Sequence, residues 1–188
     1  MKRSLPGRTP RVASRKPVAA RAGVAQAASP APLAGRSTSE RAYYLEDFEP
    51  GVGYMSPPRT MSEEEAIGFA RRYDPQYFHT DPVAARDSAF GGLVCGGFQT
   101  AALAWALVLE SRMFDQCPIA GLGVDELRWL APVRPGDTLR CRFTLLDSRP
   151  SASQPDRGVA RFRYEVINQA GTIVMTLVIA QLLRRRPG

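Results

Sequence analysis

Residues 96–110 read GGFQTAALAWALVLE, and this stretch decides the fold. Between Phe98 and Leu109, apolar side chains lie on nearly all sides of the helix that the segment predicts, which is typical of a buried helix. The two glycines leave the first N–H groups of that helix accessible, and such groups carry partial positive charge. The stretch therefore predicts a central buried helix whose start can hold an oxyanion.

The residues after this helix show the period-two alternation of strands with one buried face. Residues 172–183 are almost continuously apolar, which is typical of an interior strand. Further extended segments are predicted at about 124–130 and, before the helix, at 54–61. Together they indicate the α+β class, with a curved antiparallel sheet wrapped around the long central helix. The alternating apolar residues are Leu139, Cys141, Phe143 and Leu145 in one strand and Ala160, Phe162, Tyr164 and Val166 in another.

Upstream of the central helix, a second helix is predicted between two local signals. Ser62 is followed by three glutamates, which form a capping box at a helix start. Asp74 precedes Pro75, and the residue before a proline is pushed out of the helical region. We expect this helix to end near Arg72, with an exposed loop beginning at Asp74.

That loop contains His79, the only histidine of the chain, five residues after Asp74. An imidazole exchanges protons near neutral pH, so a carboxylate and a histidine beside a substrate form a general acid/base pair. Simpler interpretations stay open at this point. Asp74 is also a favoured turn residue before proline, His79 is compatible with a structural role, and the glycines suit close packing of helix and sheet.

Composition predicts one folded domain over residues 41–188 and a disordered basic tail over residues 1–40. The chain has 188 residues, of which 44% are hydrophobic, a normal share for a globular protein. Residues 1–39 hold eight of the 25 basic residues and no acidic one, which leaves 17 basic against 18 acidic residues elsewhere. The body therefore has no basic field for nucleic acid. The tail also resembles a transit peptide in composition, with a plain flexible extension as the alternative.

Cysteine spacing and hydropathy exclude other classes of function. The three cysteines lack the CxxC spacing of a zinc site, and no second histidine accompanies them, so no metal site and no disulfide framework are predicted. The apolar run from Ala101 to Leu109 is shorter than the roughly 20 residues of a membrane span. We expect a cytoplasmic protein without membrane or nucleic-acid partners.

Two motifs resemble the MaoC-like dehydratases, the hot-dog-fold family of (R)-specific enoyl-CoA hydratases. One is DPQYFHTDP, from Asp74 to Pro82, and the other is PVRPGDTL, from Pro132 to Leu139. The resemblance covers about residues 43–183. The family pattern Asp-x-Asn-Pro-x-His-x-Asp-Pro is matched except that Gln76 replaces the asparagine and Tyr77 replaces the proline.

The resemblance implies a hot-dog fold and a set of site residues. Asp74 and His79 would activate water, and the Gly97 N–H would bind the thioester oxygen. Gln76, Gly96 and Phe98 are the implied substrate-binding residues. The expected reaction is reversible hydration of 2-enoyl-CoA thioesters, or dehydration of 3-hydroxyacyl thioesters, in fatty acid metabolism. Coenzyme A is then part of the substrate, no separate cofactor is expected, and the family implies a homodimer.

Two other functions are compatible with the sequence. One is a dehydratase that takes acyl-carrier-protein substrates. The other is a hot-dog protein that binds acyl thioesters without turning them over.

Overall fold

The computed structural model describes residues 42–188. The predicted disordered tail and the boundary after residue 40 lie outside the described residues. Within residues 42–188, no helix is long and apolar enough to cross a membrane.

Residues 42–188 contain three α-helices and six β-strands, in the order β1, β2, α1, α2, α3, β3, β4, β5 and β6. A short 3₁₀ turn over Leu45–Asp47 precedes β1, and another over Ala84–Asp87 lies between α2 and α3. The helices are α1 (Glu63–Tyr73), α2 (Tyr77–Thr80) and α3 (Gly97–Glu110). The strands are β1 (Gly53–Met55), β2 (Arg59–Thr60), β3 (Pro118–Trp129), β4 (Thr138–Pro150), β5 (Arg157–Ile167) and β6 (Ile173–Arg184).

The sheet is antiparallel with the strand order β1-β4-β5-β6-β3, and β2 also pairs with β4. The alternation predicted for β4 and β5 is confirmed, because their apolar residues are fully buried on the face that packs against α3. The apolar run at 172–183 corresponds to β6, which has neighbours on both sides as an interior strand should. The curved sheet around a central helix is a hot-dog fold.

Strand β3 differs from its prediction, because it begins at Pro118 rather than near Val124. Gly121 and Gly123 interrupt the alternation of apolar and polar residues in its first half, so the sequence does not predict a strand there. Glycines weaken the strand signal and often mark bulges. The register between β3 and β6 shifts at three places along the strand. Bulges bend a strand, so these shifts add curvature to this edge of the sheet.

Aromatic rings fill the core on the side of α3 away from its glycine-rich start. Phe114 stacks on Phe48 at a centroid distance of 5.0 Å and meets Phe143 and Phe162 edge to face at 5.5 Å. Each such ring contributes roughly 1.5–3 kcal/mol by burial. The cluster packs against α3 and holds it in place. The start of α3 forms part of the wall of a cavity.

Candidate active site

Asp74 is placed at the end of α1. The Ser62 side chain accepts a hydrogen bond from the Glu65 N–H at 3.1 Å and caps the start of this helix, as predicted. The last turn closes with the Asp74 N–H donating to the Ala70 carbonyl at 2.8 Å. The backbone of Asp74 then leaves the helical region before Pro75. The carboxylate is thus fixed where the chain turns.

His79 lies in the single helical turn α2, not in an exposed loop as predicted, and only 6% of the residue is exposed. Its Nδ1 lies 2.7 Å from the carbonyl oxygen of Val94. A carbonyl only accepts hydrogen bonds, so Nδ1 carries a proton and donates it. In the neutral ring, Nε2 is therefore the free basic nitrogen.

The two predicted acid/base groups face each other. His79 Nε2 lies 3.4 Å from Asp74 Oδ2. The Gln76 amide donates to the other oxygen, Asp74 Oδ1, at 2.8 Å and so orients the carboxylate. One water molecule can donate to Oδ2 and Nε2 together, because both acceptors lie within reach of its two protons. Gln76 stands at the asparagine position of the family pattern, and its side-chain amide is hydrogen-bonded to Asp74.

The start of α3 supplies free N–H groups. The first helical bond runs from the Thr100 N–H to the Gly96 carbonyl at 3.0 Å, so the N–H groups of Gly97 and Phe98 have no partner within the helix. Gly96 is the N-cap residue. Trp129 Nε1 donates to the Gly97 carbonyl at 2.9 Å and ties the end of β3 to this helix start.

One cavity of about 470 Å³ brings most of these groups together. Five of the six predicted site residues line it, whereas Gly96 lies behind its wall next to Asp74. Their catalytic and binding roles stay predictions. The five lining residues are Asp74, Gln76, His79, Gly97 and Phe98.

Sequence reasoning missed three groups that organise this cavity. The Val94 carbonyl orients His79, and Trp129 covers Gly97. Arg134 donates to the carbonyls of Phe90 and, at 3.4 Å, of Leu93, and so holds the loop that leads to Val94. Arg134 lies within the PVRPGD segment, which could have drawn attention to it, whereas a backbone carbonyl leaves no signal in a sequence.

The three thiols lack the character of nucleophiles. Burial raises the pKa of Cys95, Cys117 and Cys141 to about 12. The thiolate is the reactive form, so all three are unreactive near neutral pH even though Cys95 lines the cavity.

Among residues 42–188, no cluster of three or more histidine, cysteine or acidic side chains is arranged to hold a metal ion.

This burial predicts the alkylation behaviour of the thiols. At pH 8, the folded protein is expected to resist iodoacetamide for hours, whereas protein unfolded in guanidinium is modified at all three cysteines, because unfolding returns each pKa to its ordinary value. Mass spectrometry of the intact protein measures this difference. Rapid modification of Cys95 in the folded protein would contradict the unreactive character of the cavity thiol.

Comparison with known proteins identifies the family. The family model of the MaoC like domain matches residues 48–166. A MaoC-like dehydratase from Rhodospirillum rubrum is 35% identical, with a TM-score of 0.71 over 78% of this chain and 100% of that one. A conserved hypothetical protein from Mycobacterium tuberculosis, described as a double hotdog fold, is 21% identical, with a TM-score of 0.60 over 78% of this chain and 45% of that one.

A similar segment also occurs in a larger enzyme. Mesaconyl-CoA hydratase from Cereibacter sphaeroides is 38% identical over 68 residues, which are 36% of this chain and 20% of that protein. The family match spans most of the described residues and includes Asp74, His79 and Gly97. The chain belongs to the MaoC-like dehydratase family.

Proposed function

We propose that the protein catalyses the reversible hydration of 2-enoyl-CoA thioesters to 3-hydroxyacyl-CoA thioesters. One observation carries this proposal: His79 Nε2 and Asp74 Oδ2, 3.4 Å apart, line the same cavity as the glycine at the start of α3. The family membership and the CoA hydratase among its relatives support the same class of substrate.

The pair activates water in the hydration direction. A water that donates to Asp74 Oδ2 and His79 Nε2 presents an oxygen lone pair to Cβ of the substrate. As the C–O bond forms, the water O–H bond breaks and its proton passes to the pair. The electron pair of the C=C bond moves toward the thioester carbonyl, and a proton then returns to Cα. Dehydration reverses these steps with the same groups.

The start of α3 stabilises the negative charge that develops on the thioester oxygen. The Gly97 N–H has no partner in the helix and lies at its positive end. A fixed amide donor of this kind lowers the barrier by roughly 3–4 kcal/mol, or 10²–10³ in rate. Trp129 fixes the same turn through the Gly97 carbonyl and so keeps the donor in place.

The assay of this proposal uses crotonyl-CoA and longer 2-enoyl-CoAs. Hydration removes the conjugated double bond, so the enoyl absorbance decreases when enzyme is added. Wild-type protein should consume at least one of these substrates, and an Asp74→Asn variant should not. If every chain length left both proteins inert, hydration of these CoA thioesters would be ruled out.

We infer that two copies of the chain assemble through β3 and α3. Strand β3 pairs with β6 on one side only, and its other edge is open among the described residues. Leu122 and Val124 of this strand are exposed, as are Phe98 and Leu109 on the neighbouring face of α3. Antiparallel pairing of two such edges around a two-fold axis would cover this apolar face without any other partner.

A single charge at this edge is expected to produce monomers. Val124 is 56% exposed in one chain, and Val124→Arg would place a guanidinium group from each copy in the shared strand pair, where like charges repel. Size-exclusion chromatography with light scattering should show a dimer for wild type and a monomer for the variant. Val83→Arg is the matched control, because Val83 is exposed and belongs to neither β3 nor α3. An unchanged dimer in the Val124→Arg variant would contradict the assembly.

A further inference from the structure

The PVRPGD turn lies against the backbone that orients His79. The Cys95 N–H donates to the Val133 carbonyl at 2.8 Å, which joins the turn to the residue directly after Val94. Val94 makes two bonds with α2, because its N–H donates to the Phe78 carbonyl at 3.1 Å and its carbonyl accepts from His79 Nδ1 at 2.7 Å. A shift of the backbone at Val94 therefore reaches the imidazole directly.

Arg134 is held in one backbone conformation within this turn. Its N–H donates to Asp137 Oδ2 at 2.8 Å, and its carbonyl accepts from the Asp137 N–H at 3.0 Å. Pro135 follows and favours an extended backbone at Arg134. Gly136 completes the turn with a φ of 92°, a value that favours glycine. The side chain of Arg134 thus starts from a fixed point.

The guanidinium group of Arg134 binds two carbonyl groups of the loop that leads to Val94. It donates to the Phe90 carbonyl through Nη2 and, at 3.4 Å, to the Leu93 carbonyl through Nη1. Between these two residues it passes close to Gly92, where a Cβ would lie 3.2 Å from Nη1. A planar fork with a positive charge can hold two acceptors at once, and its hydrogen bonds are stronger than those of neutral donors. Arg134 therefore fixes the residues just before Val94.

Phe90 gives the same loop a second connection to the imidazole. Its ring lies 5.3 Å from the Phe78 ring, and the Phe78 ring meets the His79 ring edge to face at 4.5 Å. The carbonyl that binds Nδ1 follows the loop directly, and the rings that pack beside the imidazole include one from the loop itself. Both kinds of contact thus depend on the segment that Arg134 holds.

We propose that Arg134 is a positioning residue that keeps His79 in the Nδ1–H tautomer, with Nε2 toward Asp74. Arg134 does not line the active-site cavity, so it acts through the loop. The hydrogen bond at one imidazole nitrogen decides which nitrogen carries the proton. If the Val94 carbonyl moves away from Nδ1, the ring can protonate Nε2 instead and donate to Asp74. That tautomer presents no basic nitrogen to the water.

The test is an NMR measurement on the imidazole nitrogens of untagged, isotope-labelled protein. His79 is the only histidine of the chain, so its signals need no assignment. At a pH where the ring is neutral, wild type should show a protonated Nδ1 and an unprotonated Nε2. Arg134→Met should move both nitrogen shifts toward those of the other tautomer. Wild-type nitrogen shifts in this variant would overturn the positioning role.

The catalytic consequence rests on the proposed hydration of enoyl thioesters. Arg134→Met should lower kcat for the best enoyl-CoA roughly 10- to 10²-fold, because small displacements of a catalytic group have effects of this size. Arg163→Met is the matched control, since Arg163 is exposed on β5 and does not line the active-site cavity. It should keep the wild-type nitrogen shifts and kcat. Equal changes in both variants would show a general effect of losing an arginine and would overturn the role of Arg134.

A second substitution at the same position keeps the test decisive if Arg134→Met does not fold. Arg134→Lys retains the charge and most of the stem but replaces the planar fork by a single ammonium group. It should show the same direction of change in the nitrogen shifts, with a smaller loss of kcat. Wild-type shifts and wild-type kcat in the lysine variant would overturn the requirement for the fork.

The two measurements separate this inference from the proposed reaction. The tautomer is measured without substrate, so a change of tautomer in Arg134→Met supports the positioning role even if wild type hydrates no enoyl-CoA. An active wild type whose tautomer is unchanged in Arg134→Met would overturn the positioning role and leave the hydration activity standing.

Discussion

Replacing Asp74 by asparagine is expected to lower kcat for enoyl-CoA hydration by about 10²–10⁴-fold, the usual contribution of a general acid/base group. The substitution keeps the side-chain shape, and its oxygen can still accept the hydrogen bond that Gln76 donates at 2.8 Å. It removes the negative charge and the second acceptor that face His79. Substrate should therefore still bind, with KM little changed, while proton transfer from water becomes slow. Steady-state kinetics with the best enoyl-CoA measures both parameters.

Asp81→Asn is the matched control for this change. Asp81 Oδ1 accepts hydrogen bonds from the N–H groups of Val83 and Ala84 at 2.8 and 3.0 Å, and asparagine caps such turns about as well. Asp81 does not line the active-site cavity. Its variant should retain kcat within about twofold, as is usual for surface positions. An Asp74→Asn enzyme that kept more than a tenth of wild-type kcat would show that another group activates the water.

Much of the fold could be predicted because its signals are local. Ser62 and the Asp74–Pro75 pair bound α1, since capping and proline sterics act within a few residues. The alternation in β4 survives in the structure because one face of that strand meets only α3 and the core. The first half of β3 was not predicted, because glycines and bulges interrupt its alternation of apolar and polar residues.

The environment of His79 could not be predicted, because it depends on contacts between distant parts of the chain. Val94, which orients the ring, lies 15 residues further along, and Trp129 is 32 residues from the glycine that it covers. The motif predicted which residues meet, and the structure adds that His79 is buried in a helical turn. Burial fixes the ring orientation and leaves Nε2 as the nitrogen that faces the carboxylate.

Gly97→Ala is expected to lower kcat/KM by about 10²-fold. Displacing a catalytic group, here the Gly97 N–H at the start of α3, by about 1 Å has an effect of that size. A methyl group at this position would lie 2.7 Å from Cε2 and Nε1 of Trp129, closer than nonbonded atoms can approach. Either the start of α3 shifts, or the Trp129 ring swings outward. The second route gives up the 2.9 Å hydrogen bond to the Gly97 carbonyl and the edge-to-face contact with Phe98. Overpacking of this kind also lowers the free energy of unfolding by about 1–3 kcal/mol.

A second substitution tests whether the Trp129 ring is the cause. In the Gly97→Ala background, Trp129→Ala removes the atoms that collide, so the helix start can return to its place. The double variant should recover roughly tenfold in kcat/KM over Gly97→Ala alone, a coupling typical of residues in direct contact. Gly68→Ala on α1 is the control, because no side chain or neighbouring element lies within 4 Å of its added methyl group and kcat/KM should not change. If Gly97→Ala were fully active, or if Trp129→Ala lowered its activity further, the tryptophan would not be what requires glycine at this position.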